Sequence, residues 1–170
     1  MRCDDKHTMT TQKQIKEWIL EAQEIFNRFM PSSISPEIHI VNDKTVFKTR
    51  ADIVTRLHSK QTNIDEGNYT SIMETIHGEK GDAILIQQKY IQDPKENPYA
   101  EVYFRRFLWH EYGHCYAAHF ENTTENFFRF YEPGIEKEKA KQEGYWMWSE
   151  FIAEAIALYV DEQHCQIDNK

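Results

Sequence analysis

From Thr11 to Met30 the apolar residues Ile15, Trp18, Ile19, Ala22, Ile25, Phe26 and Phe29 return every three or four positions. That period predicts an amphipathic helix with one buried face. Thr11 with Gln14 has the pattern of a capping box at its start, and Pro31 stops it. Glu37 to Val41 is short and rich in β-branched residues, Asn42 and Asp43 supply turn chemistry, and Thr45 to Lys48 reads as the second strand of a hairpin. Ile53, Val54 and Leu57 then predict a short helix between Arg50 and Ser59. Gln61 to Asp82 is polar, holds Gly67, Gly78 and Gly81, and reads as an irregular connection.

The apolar run Ala83 to Gln87, bounded by Gly81-Asp82, predicts a strand. Asn97 can cap a helix whose first residue is Pro98, and nothing breaks the pattern until about His119. Glu121 to Glu143 mixes Asn, Thr, aromatics and alternating charges around Pro133-Gly134, which reads as a loop with short helical pieces. Tyr145 to about Glu162 reads as a last helix. The elements add up to an α+β fold in which helices pack over a small, partly antiparallel sheet. A chain of 170 residues fits one domain, with residues 1–10 as a flexible polar segment in front of it.

Composition narrows the function classes. Hydrophobic residues make up 40% of the chain and aromatics 14%, enough apolar surface for a folded core. A net charge of -8 argues against a general phosphate-binding surface, so nucleic acid is not an expected partner. The stretch MRCDDKHTMTTQKQ lacks the apolar core of a signal peptide, and no apolar run is long enough to span a bilayer, so the expectation is a cytoplasmic protein without membrane contact. Cys3, Cys115 and Cys165 are odd in number and scattered, which suggests reduced thiols rather than a disulfide framework or a cysteine-based zinc site.

The chemistry concentrates at His110-Glu111-Tyr112-Gly113-His114 on the long helix. Histidines four apart lie about 40° from each other around a helix axis, so both imidazoles can face one ion. Zinc suits neutral imidazole, and Glu111 projects beside the metal, where it can accept a proton from water. The plain alternative is two surface histidines on an amphipathic helix. Catalytic zinc normally takes three protein ligands, and two residues compete for the third place. His119 lies nine positions after His110, about 180° away on a continuous helix. It also misses the six-residue offset of the His-His-His metalloproteases. Glu150, with Glu154 one turn later, is better placed: one carboxylate could bind metal while the other orients a ligand histidine. Ala153 and Ala157 near that face would let the two helices approach closely, and a solvated acidic edge is the alternative reading of the pair.

HEYGH followed by SEFIAE resembles the gluzincin branch of HExxH zinc metallopeptidases, and the chain is similar to the minimal, single-domain zincins. The resemblance implies one zinc per chain, with His110, His114 and Glu150 as ligands, Glu111 as general base and acid, and Glu154 as the acid supporting a ligand histidine. It implies hydrolysis of a peptide or protein substrate. It also implies that the strand Ala83 to Gln87 borders the cleft and takes a peptide by strand addition. The gap from His114 to Glu150 is longer than in the best-known members, and Glu154 stands where Asp is more usual. Tyr112, Tyr145 and Tyr159 could stabilise an oxyanion, or could simply pack. A second function class stays open: a regulatory or protein-interaction module that keeps the zincin fold with little general protease activity, using the segment Phe127 to Tyr131 toward one partner.

Overall fold

The structure is a computed structural model that describes residues 10–58, 71–118 and 137–168. Helix α1 (Gln12–Phe29) opens with the anticipated capping box, Thr11 accepting from the Gln14 N–H and the Gln14 side chain accepting from the Thr11 N–H. Ile15, Trp18, Ile19, Ala22, Ile25 and Phe26 form its buried face. Strand β1 (Glu37–Val41) and helix α2 (Val46–Leu57) follow, then β2 (Met73–Gly78), β3 (Gly81–Gln87), a 3-10 turn at Gln88–Tyr90, helix α3 (Ala100–Ala118) and helix α4 (Lys137–Asp168). The three strands form one mixed sheet in the order β1-β3-β2, with β1 parallel and β2 antiparallel to β3. The architecture is α+β, as the sequence pattern implies.

Two expected features are corrected. Thr45 to Lys48 is not a second strand: the Asn42 carbonyl accepts from the N–H groups of Thr45 and Val46 at 3.1 Å, and Val46 is the first residue of α2. Val46, Ile53 and Leu57 fall on one helical face and bury together, which outweighs the β-branched character of the segment. The neighbour of β1 is β3, which follows only after α2 and β2. Second, Gln61 to Asp82 is not wholly irregular, since Met73–Gly78 is β2. Gly78 pairs with Gly81 across a two-residue turn, and Gly81 has φ 133°, a backbone state open to glycine. Glycines that mark an irregular stretch in the sequence pattern here close a hairpin.

Helix α4 also starts earlier than Tyr145. Lys137 to Glu143 consists of strong helix formers with alternating charge, and Gly144 is absorbed at a cost of about 1 kcal/mol. Among the expected features, the segment 1–9, His119, the loop up to residue 136 and the aromatic run Phe127 to Tyr131 lie outside the described residues. Among the described residues no helix is long and apolar enough to cross a membrane.

The period of two along the strands sorts the sheet into two faces. Met73, Thr75, Ile84, Ile86, Ile38 and Ile40 point one way, toward α1 and α3. Glu74, Ile76, Ala83, Leu85 and Val41 point the other way, toward α2. On that second face Arg50 of α2 holds Glu74 through three hydrogen bonds of 3.0 to 3.2 Å, and Arg56 pairs with Glu37. Helix α3 lies between α1, the sheet and α4. Its Phe104, Leu108, Trp109, Tyr112, Cys115 and Tyr116 are buried. Trp109 Nε1 donates to the Ala22 carbonyl at 3.0 Å, and the Phe26 and Tyr112 rings meet edge to face at 5.3 Å. These contacts fix the rotation of α3 about its own axis, and so decide where His110 and His114 point.

Candidate metal centre

The site forms where α4 crosses α3. At the crossing Gly113 faces Ala153 so closely that a Cβ on Gly113 would stand 2.8 Å from both the Ala153 Cα and its carbonyl oxygen. Ala153 and Ala157 are fully buried. Small residues on both helices permit the close approach that brings Glu150 and Glu154 of α4 over His110 and His114 of α3.

His110 and His114 turn their Nε2 atoms toward each other at 3.2 Å. The Glu150 carboxylate spans the pair, with Oε2 3.2 Å from His110 Nε2 and Oε1 3.5 Å from His114 Nε2. The other ring nitrogens are engaged on the far side. His110 Nδ1 lies 3.2 Å from Glu154 Oε2, and His114 Nδ1 lies 2.9 Å from Ser149 Oγ. A carboxylate only accepts, and His110 meets one at each ring nitrogen, Glu154 at Nδ1 and Glu150 at Nε2; with the ring hydrogen on Nδ1 and donated to Glu154, the Nε2 lone pair would be free to share a cation with Glu150. Glu154 is in turn held by Arg106 at 2.9 Å. That ion pair leads the causes that lower the Glu154 carboxyl pKa.

The consequence is a convergence of electron-rich atoms that favours a cation among them. The group His110, His114 and Glu150 could hold a metal ion. Four donors about 2.0–2.1 Å from one centre at tetrahedral angles stand about 3.3–3.4 Å from each other. His110 Nε2 stands 3.2 Å from both His114 Nε2 and Glu150 Oε2, close to that spacing, while Glu150 reaches His114 Nε2 at 3.5 Å through its other oxygen, Oε1. His114 is prepared as a neutral ligand: burial first, then the neighbouring His110 and His77 charges, press its pKa down to about 4.

Glu111 faces the same cavity of about 530 Å³, whose lining also includes Thr75, His77, His110, His114 and Glu150. Its carboxylate accepts from Thr75 Oγ1 at 2.7 Å. Burial raises its pKa above the ordinary carboxylate value, while the Thr75 hydrogen bond and the His110 charge oppose the rise. Such an acid is moved toward the neutral range in which a general base works.

All five residues singled out by their spacing thus meet at one place. Thr75, Ser149 and Arg106, which steady Glu111, His114 and Glu154, carry no signal in the sequence pattern. Thr75 falls in the stretch that reads as irregular, and its position under Glu111 depends on strand register rather than on local spacing.

Two other expectations change. The strand Ala83 to Gln87 cannot border a cleft or receive a peptide, because β3 is the middle strand with both edges paired. The strand beside the site is β2, whose outer edge meets no other strand among the described residues. Tyr112 is fully buried against Phe26 and cannot reach an oxyanion from there, whereas Tyr159 is 47% exposed on α4. Tyr145 has no described side chain. No protein-family model, curated protein or solved structure matches the chain.

Proposed function

We propose that this protein is a zinc-dependent peptidase with a zincin-like fold, hydrolysing peptide bonds with one zinc per chain. The observation that carries the reading is the meeting of two imidazole Nε2 atoms and the Glu150 carboxylate at 3.2 to 3.5 Å, with Glu111 in the same cavity. The pattern HEYGH with SEFIAE, which resembles the gluzincins, points to the same chemistry. His110, His114 and Glu150 hold the ion. When bound, zinc polarises a carbonyl and brings the pKa of a water to about 7.

The chain supplies the rest. Glu111, held by Thr75, takes the proton from the attacking water and returns it to the departing amine, so no covalent intermediate forms. Glu154 keeps the hydrogen of His110 on Nδ1, which leaves Nε2 available as a ligand. The outer edge of β2, which meets no other strand among the described residues, offers backbone groups to an extended peptide across the cavity.

Elemental analysis of protein purified without added metal tests the first half. Close to one zinc per chain is expected, lost in His110→Ala and reduced in Glu150→Ala. Cleavage of a mixed peptide library tests the second half, with Glu111→Gln expected to keep zinc and lose hydrolysis. Hydrolysis that survives Glu111→Gln overturns the mechanism. Zinc binding without hydrolysis of any peptide leaves a metal-bearing interaction module in its place.

A further inference from the structure

The cavity at the metal centre continues into a groove whose character changes along its length. Next to it lies a second cavity of about 530 Å³, in which His110, Glu111, Arg106 and Glu154 meet Ile72, Met73, Tyr103 and Phe107. Ile72, Met73, Tyr103 and Phe107 in turn line a third cavity of about 410 Å³, shared with Ile91, Ala100 and Phe104. Among the described residues that line this third cavity none carries a charged side chain. Its volume falls within the range of about 300–1,000 Å³ usual for small-ligand pockets. The two ends of the groove therefore differ in chemistry, acidic and metal-ligating at one and apolar at the other.

The mouth of the apolar end is built from the outer face of α3. Tyr103 and Phe107, one turn apart, leave 54% and 48% of their surface in solvent. The next turn of the same face carries His110. Large apolar groups at the rim of a concave, uncharged pocket gain by covering another apolar group. Their position one and two turns before His110 sets the distance between that group and the reacting bond.

We infer that the pocket formed by Ile72, Ile91, Ala100, Tyr103, Phe104 and Phe107 receives a bulky apolar side chain, aromatic or branched, of the peptide whose bond is cut at the metal centre. This rests on the peptidase reading for the bond cleaved, but the pocket itself needs neither metal nor Glu111. The peptide lies along the edge of β2, where Ile72 and Met73 belong to both cavities and connect the apolar end to Thr75 and Glu111. Side chains with charge are disfavoured there, because no described lining residue supplies a countercharge to offset their desolvation.

Two measurements separate this inference from the reading it builds on. In the first, metal-free protein is titrated with N-acetyl-phenylalaninamide, N-acetyl-alaninamide and N-acetyl-aspartamide while ring signals of Tyr103 and Phe107 are followed by NMR. Saturable shifts with the phenylalanine probe alone are expected, lost in Phe107→Asp. Equal responses to the three probes, or none, overturn the pocket assignment whether or not the protein is a peptidase. In the second, zinc-loaded protein cleaves peptides that differ only in Phe or Ala at each position around the scissile bond. One position is expected to favour Phe in kcat/KM on the order of tenfold or more. Phe107→Asp should bring that ratio toward one, with zinc content and helical circular dichroism retained. Cleavage without preference at any position overturns the inference and leaves the peptidase reading standing. Selective NMR shifts without any cleavage overturn the peptidase reading and leave an apolar binding pocket.

Discussion

Gly113→Ala tests the helix crossing on which the candidate centre depends. The added methyl carbon would meet the Ala153 Cα and carbonyl oxygen at 2.8 Å and its carbonyl carbon at 3.2 Å. All three are backbone atoms, so no side-chain rotation relieves the contact. Ordinary contact starts near 3.4 Å, so α4 must retreat from α3 by about 0.6 Å. Two terms oppose each other in stability. Alanine is better than glycine inside a helix by about 1 kcal/mol, whereas forcing extra volume into a packed contact costs about 1–3 kcal/mol. The net change in stability is therefore small, a loss of about 0–2 kcal/mol.

The effect on the site is larger. Ala153 lies between Glu150 and Glu154, so the retreat moves both carboxylates together. Glu150 leaves its 3.2 and 3.5 Å positions over the imidazoles, and Glu154 leaves His110 Nδ1. Displacing a supporting partner typically lowers metal affinity about 10–100-fold, and here a ligand moves as well. The expected result is a loss of zinc affinity of at least about tenfold, with a thermal midpoint of the metal-free protein only slightly lowered. Competition against a chromophoric chelator measures the first, and thermal melting with and without zinc the second. Unchanged zinc affinity in Gly113→Ala would refute the close crossing, and with it the argument that Gly113 assembles the site.

Thr75→Val removes a donor that favours the ionised form of Glu111 against the effect of burial. The Glu111 pKa, already raised by burial, then rises further, so the acid limb of kcat/KM against pH moves to higher pH and activity below it falls roughly tenfold, with zinc content unchanged. An acid limb that stays in place would show that Thr75 does not act on Glu111. Cys115 is buried, and burial leads the causes that push its thiol pKa well up, whereas Cys165 is exposed. Iodoacetamide at pH 8 should alkylate Cys165 in the native protein and reach Cys115 only after denaturation, as read by peptide mass spectrometry. The Tyr112 hydroxyl is buried with no hydrogen-bond partner among the described residues. Tyr112→Phe should therefore raise stability by about 1 kcal/mol, or roughly 2–4 °C in Tm, and a fall in Tm would disprove the orphaned hydroxyl.

The parts of the fold that are legible in the sequence are those with a local period. The stripe of α1, the apolar run of β3 and the long pattern of α3 each carry their own signal over consecutive residues. The histidine pair His110 and His114 and the carboxylate pair Glu150 and Glu154 are legible for the same reason, since one helical turn relates the members of each pair. What escapes is whatever two distant segments decide jointly. Thr45 to Lys48 has the β-branched residues of a strand, yet burial of Val46 with Ile53 and Leu57 makes it helical. Met73–Gly78 has polar residues on both faces because one face serves α3 and the site while the other serves Arg50, so it lacks the apolar alternation of a simple edge strand. The place of β3 in the middle of the sheet follows from its pairing with both β1 and β2, and no local pattern encodes it.

The turn between β2 and β3 has a reach that its distance from Glu111 conceals. Leu57 crowds Gly78 so tightly that a Cβ there would stand 2.4 Å from the Leu57 Cβ, and Gly81 holds a backbone angle that other residues avoid. These two glycines pin the register in which Thr75 sits opposite Ile84. A slip of a single residue would reverse every side chain of β2, presenting Glu74 or Ile76 to α3 and turning Thr75 away toward α2. A negative charge or a hydrocarbon would then stand where the Thr75 hydroxyl now donates to the Glu111 carboxylate. The identity of the group beneath Glu111 is thus set at a surface hairpin, and a change of length in the two-residue turn between Gly78 and Gly81 would alter it without touching any residue of the candidate centre.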